Sequence, residues 1–132
     1  MPDYLDTSAF VKLIRSEPES KALRQALAGS EIVSSALLSL EGRRAAARYG
    51  KLAADRARIA LTAITLLPID EPILDAAAVL DPPTLRSLDA LHLATAHSLG
   101  KDLNRLYCYD NRLGTAAMAL GIEVDSPERY QR

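Results

Sequence analysis

Four acidic side chains carry the chemistry that this sequence could perform: Asp6, Glu41, Asp89 and Asp110. Asp6 stands where the apolar run Tyr4-Leu5 stops, and Asp110 where Leu106-Tyr107-Cys108-Tyr109 stops. Each acid also has an ordinary structural reading. Aspartate is a favoured helix N-cap, so Asp6 and Asp110 could simply cap the helices that follow them. Asp89 falls in the first turn of a helix, where the helix dipole stabilises a negative charge. Glu41 could be one more solvated helix residue. Its neighbourhood argues otherwise. Glu41 follows Ser34-Ser35-Ala36-Leu37-Leu38-Ser39-Leu40, a run with no other charge, and Leu37 and Leu38 share its side of the helix at i−4 and i−3. An acid drawn into an apolar edge needs a partner or a metal. Asp89 is comparable: Leu88, Ala90, Leu91, Leu93 and Ala94 make its helix almost wholly apolar.

Carboxylates that converge in a partly buried pocket repel one another, and a cation is needed to hold them ionised. Hard oxygen ligands select Mg2+ or Mn2+, and no Cys/His spacing here suggests zinc. Magnesium keeps several waters, one of which can become a nucleophile on phosphorus while the metal offsets charge on the leaving oxygen. The implied chemistry is phosphodiester hydrolysis.

The elements that must position these acids are short strands alternating with helices. Tyr4-Leu5 reads as a strand, and a helix starts at Thr7. Pro18 suits a first helical position, with a second helix running to about Leu27 before Gly29. Residues 31–34 read as a strand and residues 35–49 as a helix that stops at Gly50. A helix over residues 53–65 and a strand over 66–70 follow, although Pro68 suits only an edge or a strand start. Pro72 opens a helix that ends before Pro82-Pro83. Ser87 reads as the N-cap of a helix over 88–99. A strand over 106–109, a helix over 111–120 stopped by Gly121 and a strand over 122–124 complete the chain. Strands separated by helices imply an α/β fold, with a short parallel sheet covered by helices on both faces. In such sheets ligands bind beyond the carboxyl ends of the strands, where Asp6 and Asp110 fall.

With 132 residues, 48% hydrophobic and 25% charged, the chain reads as one globular domain covering positions 1–132. A chain of this size buries roughly two-thirds of its unfolded surface and needs no disulfide. The one cysteine, Cys108, reads as a buried strand thiol, which suits a reducing compartment. No apolar run approaches the ~20 residues of a membrane span and no signal segment is evident, so a cytoplasmic location is expected. A net charge of −1 argues against coating nucleic acid by bulk positive charge. Yet Arg43, Arg44, Arg48, Lys51, Arg56 and Arg58 make positions 43–58 basic, with Asp55 the only acid. That stretch is either a solvated helical face or a phosphate-backbone surface.

Taken together, the segments 4–9 (Tyr-Leu-Asp-Thr-Ser-Ala) with Leu13, Glu41 within a helix, 85–96 (Leu-Arg-Ser-Leu-Asp-Ala-Leu-His-Leu-Ala-Thr-Ala), 109–113 (Tyr-Asp-Asn-Arg-Leu), Ala116-Ala117 and Leu120-Gly121-Ile122 resemble a PIN-domain ribonuclease. More narrowly, they resemble a VapC-type toxin of a type II toxin–antitoxin pair. The resemblance implies a PIN-like domain over positions 1–132 and a Mg2+- or Mn2+-dependent endoribonuclease. It implies that Asp6 and Asp89 are the principal metal-ligating acids, with Glu41 and Asp110 completing the pocket, often through water. The last acid is the family's most variable. Thr7 or Ser8 matches a hydroxyl that orients a carboxylate or a water. The resemblance further implies a homodimer, an antitoxin whose C-terminal segment lies along a groove and presents a basic residue to the acids, and tRNA or ribosomal RNA as substrate.

Other residues rank lower. His92 shares a helix face with Asp89; a general base is conceivable, but a hydrogen-bonded core residue is the more usual outcome on an apolar helix. His97 reads as structural. Arg86 and Arg112 could bind phosphate or pair with a carboxylate. Asp70 and Asp125 also end strands, but next to turn-like Glu71-Pro72 and Ser126-Pro127. Tyr107 and Tyr109 read as strand packing. Two other enzyme-like classes fit poorly. A phospho-receiver domain wants paired acids after the first strand and a lysine after a late strand, whereas Thr7-Ser8 follow Asp6 and Lys101 precedes a strand. A haloacid-dehalogenase-type phosphatase wants aspartates two apart, and Ser8 takes that place. A PIN-like module that only binds RNA or protein is the non-enzyme alternative, and intact acids at all four positions argue against it.

Overall fold

The computed structural model describes residues 1–128. Its elements run β1 (Asp3–Leu5), α1 (Thr7–Ile14), α2 (Ser20–Leu27), β2 (Ile32–Ser35), α3 (Leu37–Ala47), α4 (Lys51–Leu61), β3 (Thr65–Leu67), α5 (Glu71–Ala78), α6 (Ser87–Ser98), a 3-10 turn (Gly100–Asp102), β4 (Leu106–Tyr107), α7 (Asn111–Ala119) and β5 (Val124–Asp125). The strands form one sheet in the order β3-β2-β1-β4-β5, and each neighbouring pair is parallel. The chain builds outward from β1 to β3, then returns to the other side of β1 to lay down β4 and β5. The strand order therefore reverses between β1 and β4, the crevice position for ligands in such sheets.

Alternation along the short strands divides the core in two. Tyr4 and Leu106 pack on one face with Leu93, Ala96, Leu113, Ala116 and Ala117 of α6 and α7. Leu5 and Tyr107 pack on the other with side chains of α1 to α4, among them Phe10, Leu23, Leu38 and Ala57. Period-two alternation sends successive side chains to opposite faces, so these two-residue and three-residue strands need helices on both sides. The expected architecture is present.

Gly42 sets the approach of α3 to α1. A Cβ built at Gly42 would sit 2.7 Å from Phe10 Cε2, inside any real contact. The absent side chain lets the Phe10 ring lie against α3 beside Glu41. Ala at this position is an overpacking change of about 1–3 kcal/mol.

Several ends differ from the sequence expectation. Thr65 begins β3 instead of ending α4, because it pairs with Val33 on the adjoining strand. That strand stops at Leu67 on the sheet edge, since Pro68 has no N–H to continue a ladder. α2 begins at Ser20, two residues past Pro18, with Glu19 as N-cap. Ser87 is not the cap of α6. Arg86 holds the extended cap conformation (φ −63°, ψ 147°), no side chain caps the helix, and Ser87 is already helical. No helix among the described residues is long and apolar enough to cross a membrane.

Candidate active site

Asp6 leaves β1 in extended backbone and caps α1, its Oδ1 accepting from the Ala9 amide at 2.9 Å. The Ser8 hydroxyl donates to the same carboxylate, 2.7 Å from Oδ1 and 2.8 Å from Oδ2. Ser8 Oγ in turn accepts from the Tyr109 amide at 2.9 Å. One hydroxyl thus ties the end of β1 to the chain leaving β4. The capping role expected of aspartate is real, and it orients the carboxylate without supplying a cation. Asp6 is 2% exposed. Burial pushes its carboxyl up, and the Ala9 amide, the nearby His92 and the Ser8 hydroxyl reduce the rise without cancelling it.

Thr7, one residue on, faces Glu41. Its hydroxyl donates to Glu41 Oε1 at 2.7 Å. His92 Nε2 lies 2.8 Å from the same oxygen and 3.1 Å from Thr7 Oγ1, while Nδ1 lies 2.8 Å from the Tyr4 hydroxyl. An ionised carboxylate only accepts, so Nε2 is assigned as the protonated nitrogen and Nδ1 accepts from Tyr4. Burial pushes the Tyr4 phenol far up, which keeps it a donor. Burial also pushes Glu41 up, but the hydrogen bonds from His92 and Thr7 outweigh it and hold the carboxyl below its ordinary range. His92 is 2% exposed. It is the hydrogen-bonded core residue expected of a histidine on an apolar helix, and its partner proves to be one of the four acids. His97 lies exposed at the far end of α6.

The other two acids form a separate group. Asp89, in the first turn of α6, accepts from Arg86 Nε at 3.0 Å. Asp110 caps α7, its Oδ1 accepting from the Arg112 and Leu113 amides at 2.9 and 3.2 Å. Its Oδ2 accepts from Arg86 Nη2 at 3.1 Å. The sequence left open whether Arg86 and Arg112 meet carboxylates or phosphate. Here Arg86 bridges two carboxylates, while the Arg112 side chain is exposed on α7. Arg86 also helps to lower Glu41 through its charge, so the guanidinium lies within electrostatic range of three of the four acids.

The remaining candidates lie apart. Asp70 caps α5 beyond the edge strand β3, accepting from the Ile73 amide. Asp125 sits in the opposite edge strand and pairs with Arg105 at 3.6 Å. Tyr107 is buried in the core, and the Tyr109 hydroxyl donates to the Pro127 carbonyl. Cys108 is buried, and burial followed by the charge of Asp6 pushes its thiol up, which makes it inert. The basic stretch 43–58 forms the outer sides of α3 and α4. Asp55 pairs there with Lys51 and Arg58, and Arg43, Arg44, Arg48 and Arg56 are exposed.

The donor set fits a hard divalent cation in kind. It consists of carboxylate oxygens and hydroxyls, and its most buried member, Asp6, has no arginine or lysine bridge among the described residues. Asp89 and Asp110 meet across a positive charge already. As the side chains stand, no three acids, histidines or cysteines among the described residues are close enough to hold an ion together. The Tyr4–His92–Glu41–Thr7 chain is what sequence reading missed. Its one visible signal was a polar imidazole at a core position of α6, which had to find a partner.

A PIN domain family model matches residues 4–115. The chain is 50% identical over 125 residues to Ribonuclease VapC46 of Mycobacterium tuberculosis (strain ATCC 25618 / H37Rv), covering 94% of this chain and 96% of that protein. It is 40% identical over 130 residues to Ribonuclease VapC47 of Mycobacterium tuberculosis (strain CDC 1551 / Oshkosh), with the same coverage. Among solved structures, Mycobacterium tuberculosis VapC20, described as a sarcin-ricin loop cleaving toxin, superposes with a TM-score of 0.69 at 18% identity, over 86% of this chain and 94% of that one. A toxin–antitoxin complex from Klebsiella pneumoniae gives 0.69 at 24% identity, over 95% and 97%. The parallel sheet whose order reverses between β1 and β4, the family match over residues 4–115, and 50% and 40% identity to two VapC ribonucleases over 94% of the chain agree: the chain belongs to the PIN-domain family, among the VapC ribonucleases.

Proposed function

We propose that residues 1–132 act as one PIN-like domain, the toxin of a type II toxin–antitoxin pair, and cleave RNA internally by divalent-metal-dependent hydrolysis with Mg2+ or Mn2+. Asp6 and Asp89 would hold the metal most directly, with Glu41 and Asp110 acting through water. A bound divalent ion supplies an activated water and offsets charge on the leaving oxygen. The protein's own residues do the positioning. Ser8 and the Ala9 amide fix the plane of the Asp6 carboxylate. Thr7 and His92 fix Glu41 and hold it ionised. Arg86, once released from its carboxylates, and Arg112 would be the groups that meet phosphate.

The observation that carries this reading is the buried Asp6 carboxylate, pushed up by burial and lacking an arginine or lysine bridge among the described residues. A buried acid in that state wants a cation. The cognate antitoxin would neutralise the site with a basic residue from its C-terminal segment, and the working toxin would be a homodimer acting on tRNA or ribosomal RNA in the cytoplasm. The test is cleavage of total RNA by antitoxin-free protein with Mg2+, with Mn2+ and with chelator. Metal-dependent internal cuts that vanish in Asp6→Asn are expected. Absence of any metal-dependent cleavage would leave a PIN-like binding module as the better reading.

A further inference from the structure

Arg86 occupies the place where the metal reading needs a cation. Its Nε and Nη2 reach Asp89 Oδ2 at 3.0 Å and Asp110 Oδ2 at 3.1 Å, so one guanidinium joins the start of α6 to the loop after β4. The oxygens it uses are informative. Asp110 Oδ1 is committed to capping α7, which leaves Oδ2 as the oxygen free for a cation, and Arg86 holds that one. Among the described residues, no three ligating side chains come together.

The bridge is also built to yield. The Arg86 side chain is 67% exposed, against 15% for Asp89 and 25% for Asp110. Exposed ion pairs add little stability, because water and salt screen them and the long side chain loses freedom in one geometry. A divalent ion brings twice the charge and direct oxygen coordination to the same carboxylates. Arginine, by contrast, keeps its charge after displacement, and its fork geometry matches phosphate.

We propose that Arg86 is an internal counter-ion that closes the Asp89–Asp110 half of the site in the free protein, and that a divalent ion displaces it toward a phosphate of the bound RNA. This rests on the metal-site reading above. Metal and Arg86 then compete for the same two oxygens, so the metal binds more weakly than the acids alone would allow. Removing the guanidinium should strengthen metal binding and weaken RNA binding, opposite signs that a purely structural residue would not give.

The experiment titrates Mn2+ alone into wild type, Arg86→Gln and Arg86→Lys by calorimetry. Arg86→Gln should bind Mn2+ about 3–10-fold more tightly, the order expected for removing an exposed competing pair. Arg86→Lys should fall between, because an ammonium is a point charge that cannot span both carboxylates. Binding of bulk tRNA, with Ca2+ in place of Mn2+ to suppress turnover, should weaken in Arg86→Gln, with a log–log salt slope shallower by about one. Equal or weaker Mn2+ affinity in Arg86→Gln overturns the counter-ion role while leaving the metal site intact. Tighter Mn2+ binding with unchanged tRNA binding overturns the displacement toward phosphate. No Mn2+ binding by any of the three proteins overturns the metal reading and this inference together.

Discussion

The two halves of the site are held by different physics. Asp6 and Glu41 are held by two adjacent hydrogen-bonded groups: Ser8 and the Ala9 amide hold both oxygens of the buried Asp6, and Thr7 and His92, the latter backed by Tyr4, hold Oε1 of the half-buried Glu41. Asp89 and Asp110 meet through one exposed arginine. A buried network is expensive to leave half-satisfied, so it specifies one geometry. An exposed bridge is cheap to break, so it can exchange partners. The two halves therefore differ in how easily they rearrange: one keeps a single geometry, and the other can give up its bridge at little cost.

The largest expected effect breaks the buried half. Asp6→Asn keeps the α1 cap, since asparagine also accepts from the Ala9 amide, but removes a ligand charge. RNA cleavage should fall by about 1,000-fold or more, the order seen when a central electrostatic group is lost. Because the Asp6 carboxyl is raised, its ionised form opposes folding. The metal-free variant should therefore melt a few degrees higher than wild type and lose the metal-induced rise in melting temperature. Retained cleavage in this variant would falsify the Asp6 assignment.

Next comes His92→Ala, which deletes a side chain of 2% exposure and strips partners from both Tyr4 and Glu41. A loss of about 3 kcal/mol or more is expected in urea unfolding. Arg86→Gln should change stability by less than about 1 kcal/mol in the same assay. Similar losses for the two variants would erase the contrast between halves.

A smaller effect separates two roles of one residue. Asp110→Ala should cost about 1 kcal/mol, because Oδ1 caps α7, whereas Asp110→Asn should keep most of that stability. Both should impair cleavage if the Oδ2 charge matters. Full activity in Asp110→Asn would reduce Asp110 to a cap.

The finest test uses pH. Glu41 is held below its ordinary value of 4.5, so its contribution is present above that pH and is lost as pH falls through the lower folded value. Asp6, raised above 3.8, has the opposite sign: its contribution is fully present below 3.8 and is lost as pH rises through the folded value. Glu41→Gln should remove the first and leave the second. Urea midpoints of that variant should fall less on acidification below pH 4.5 than those of wild type; an identical profile would mean that the network does not hold Glu41 ionised.

Much of this was legible in residue order. The α/β pattern came from apolar runs alternating with helical segments, and Asp6 and Asp110 were visible as acids at strand ends because strands stop where apolar runs stop. Glu41 stood out through the uncharged run before it. Element ends were less legible. Ser87 has the chemistry of a cap, yet Arg86 takes the position, and Thr65 is drawn into β3 by pairing with Val33 across 31 residues of intervening chain. Local preference loses to long-range pairing at such boundaries.

The sequence by itself determined which chemistry was available: four acids, hydroxyls beside the first, and no zinc-type ligand set. Side-chain type and helical or strand period are local properties, readable without a fold. Only the tertiary structure decided who meets whom. Asp6 is joined to Tyr109 through Ser8, Glu41 to His92 across 51 positions, and Asp89 to Asp110 through Arg86. Those meetings depend on the strand order reversing between β1 and β4, and on Gly42 letting α1 and α3 close on Phe10. Packing and crossover direction are properties of the whole chain, and they divide the four acids into a pair held by inner hydrogen bonds and a pair bridged by Arg86.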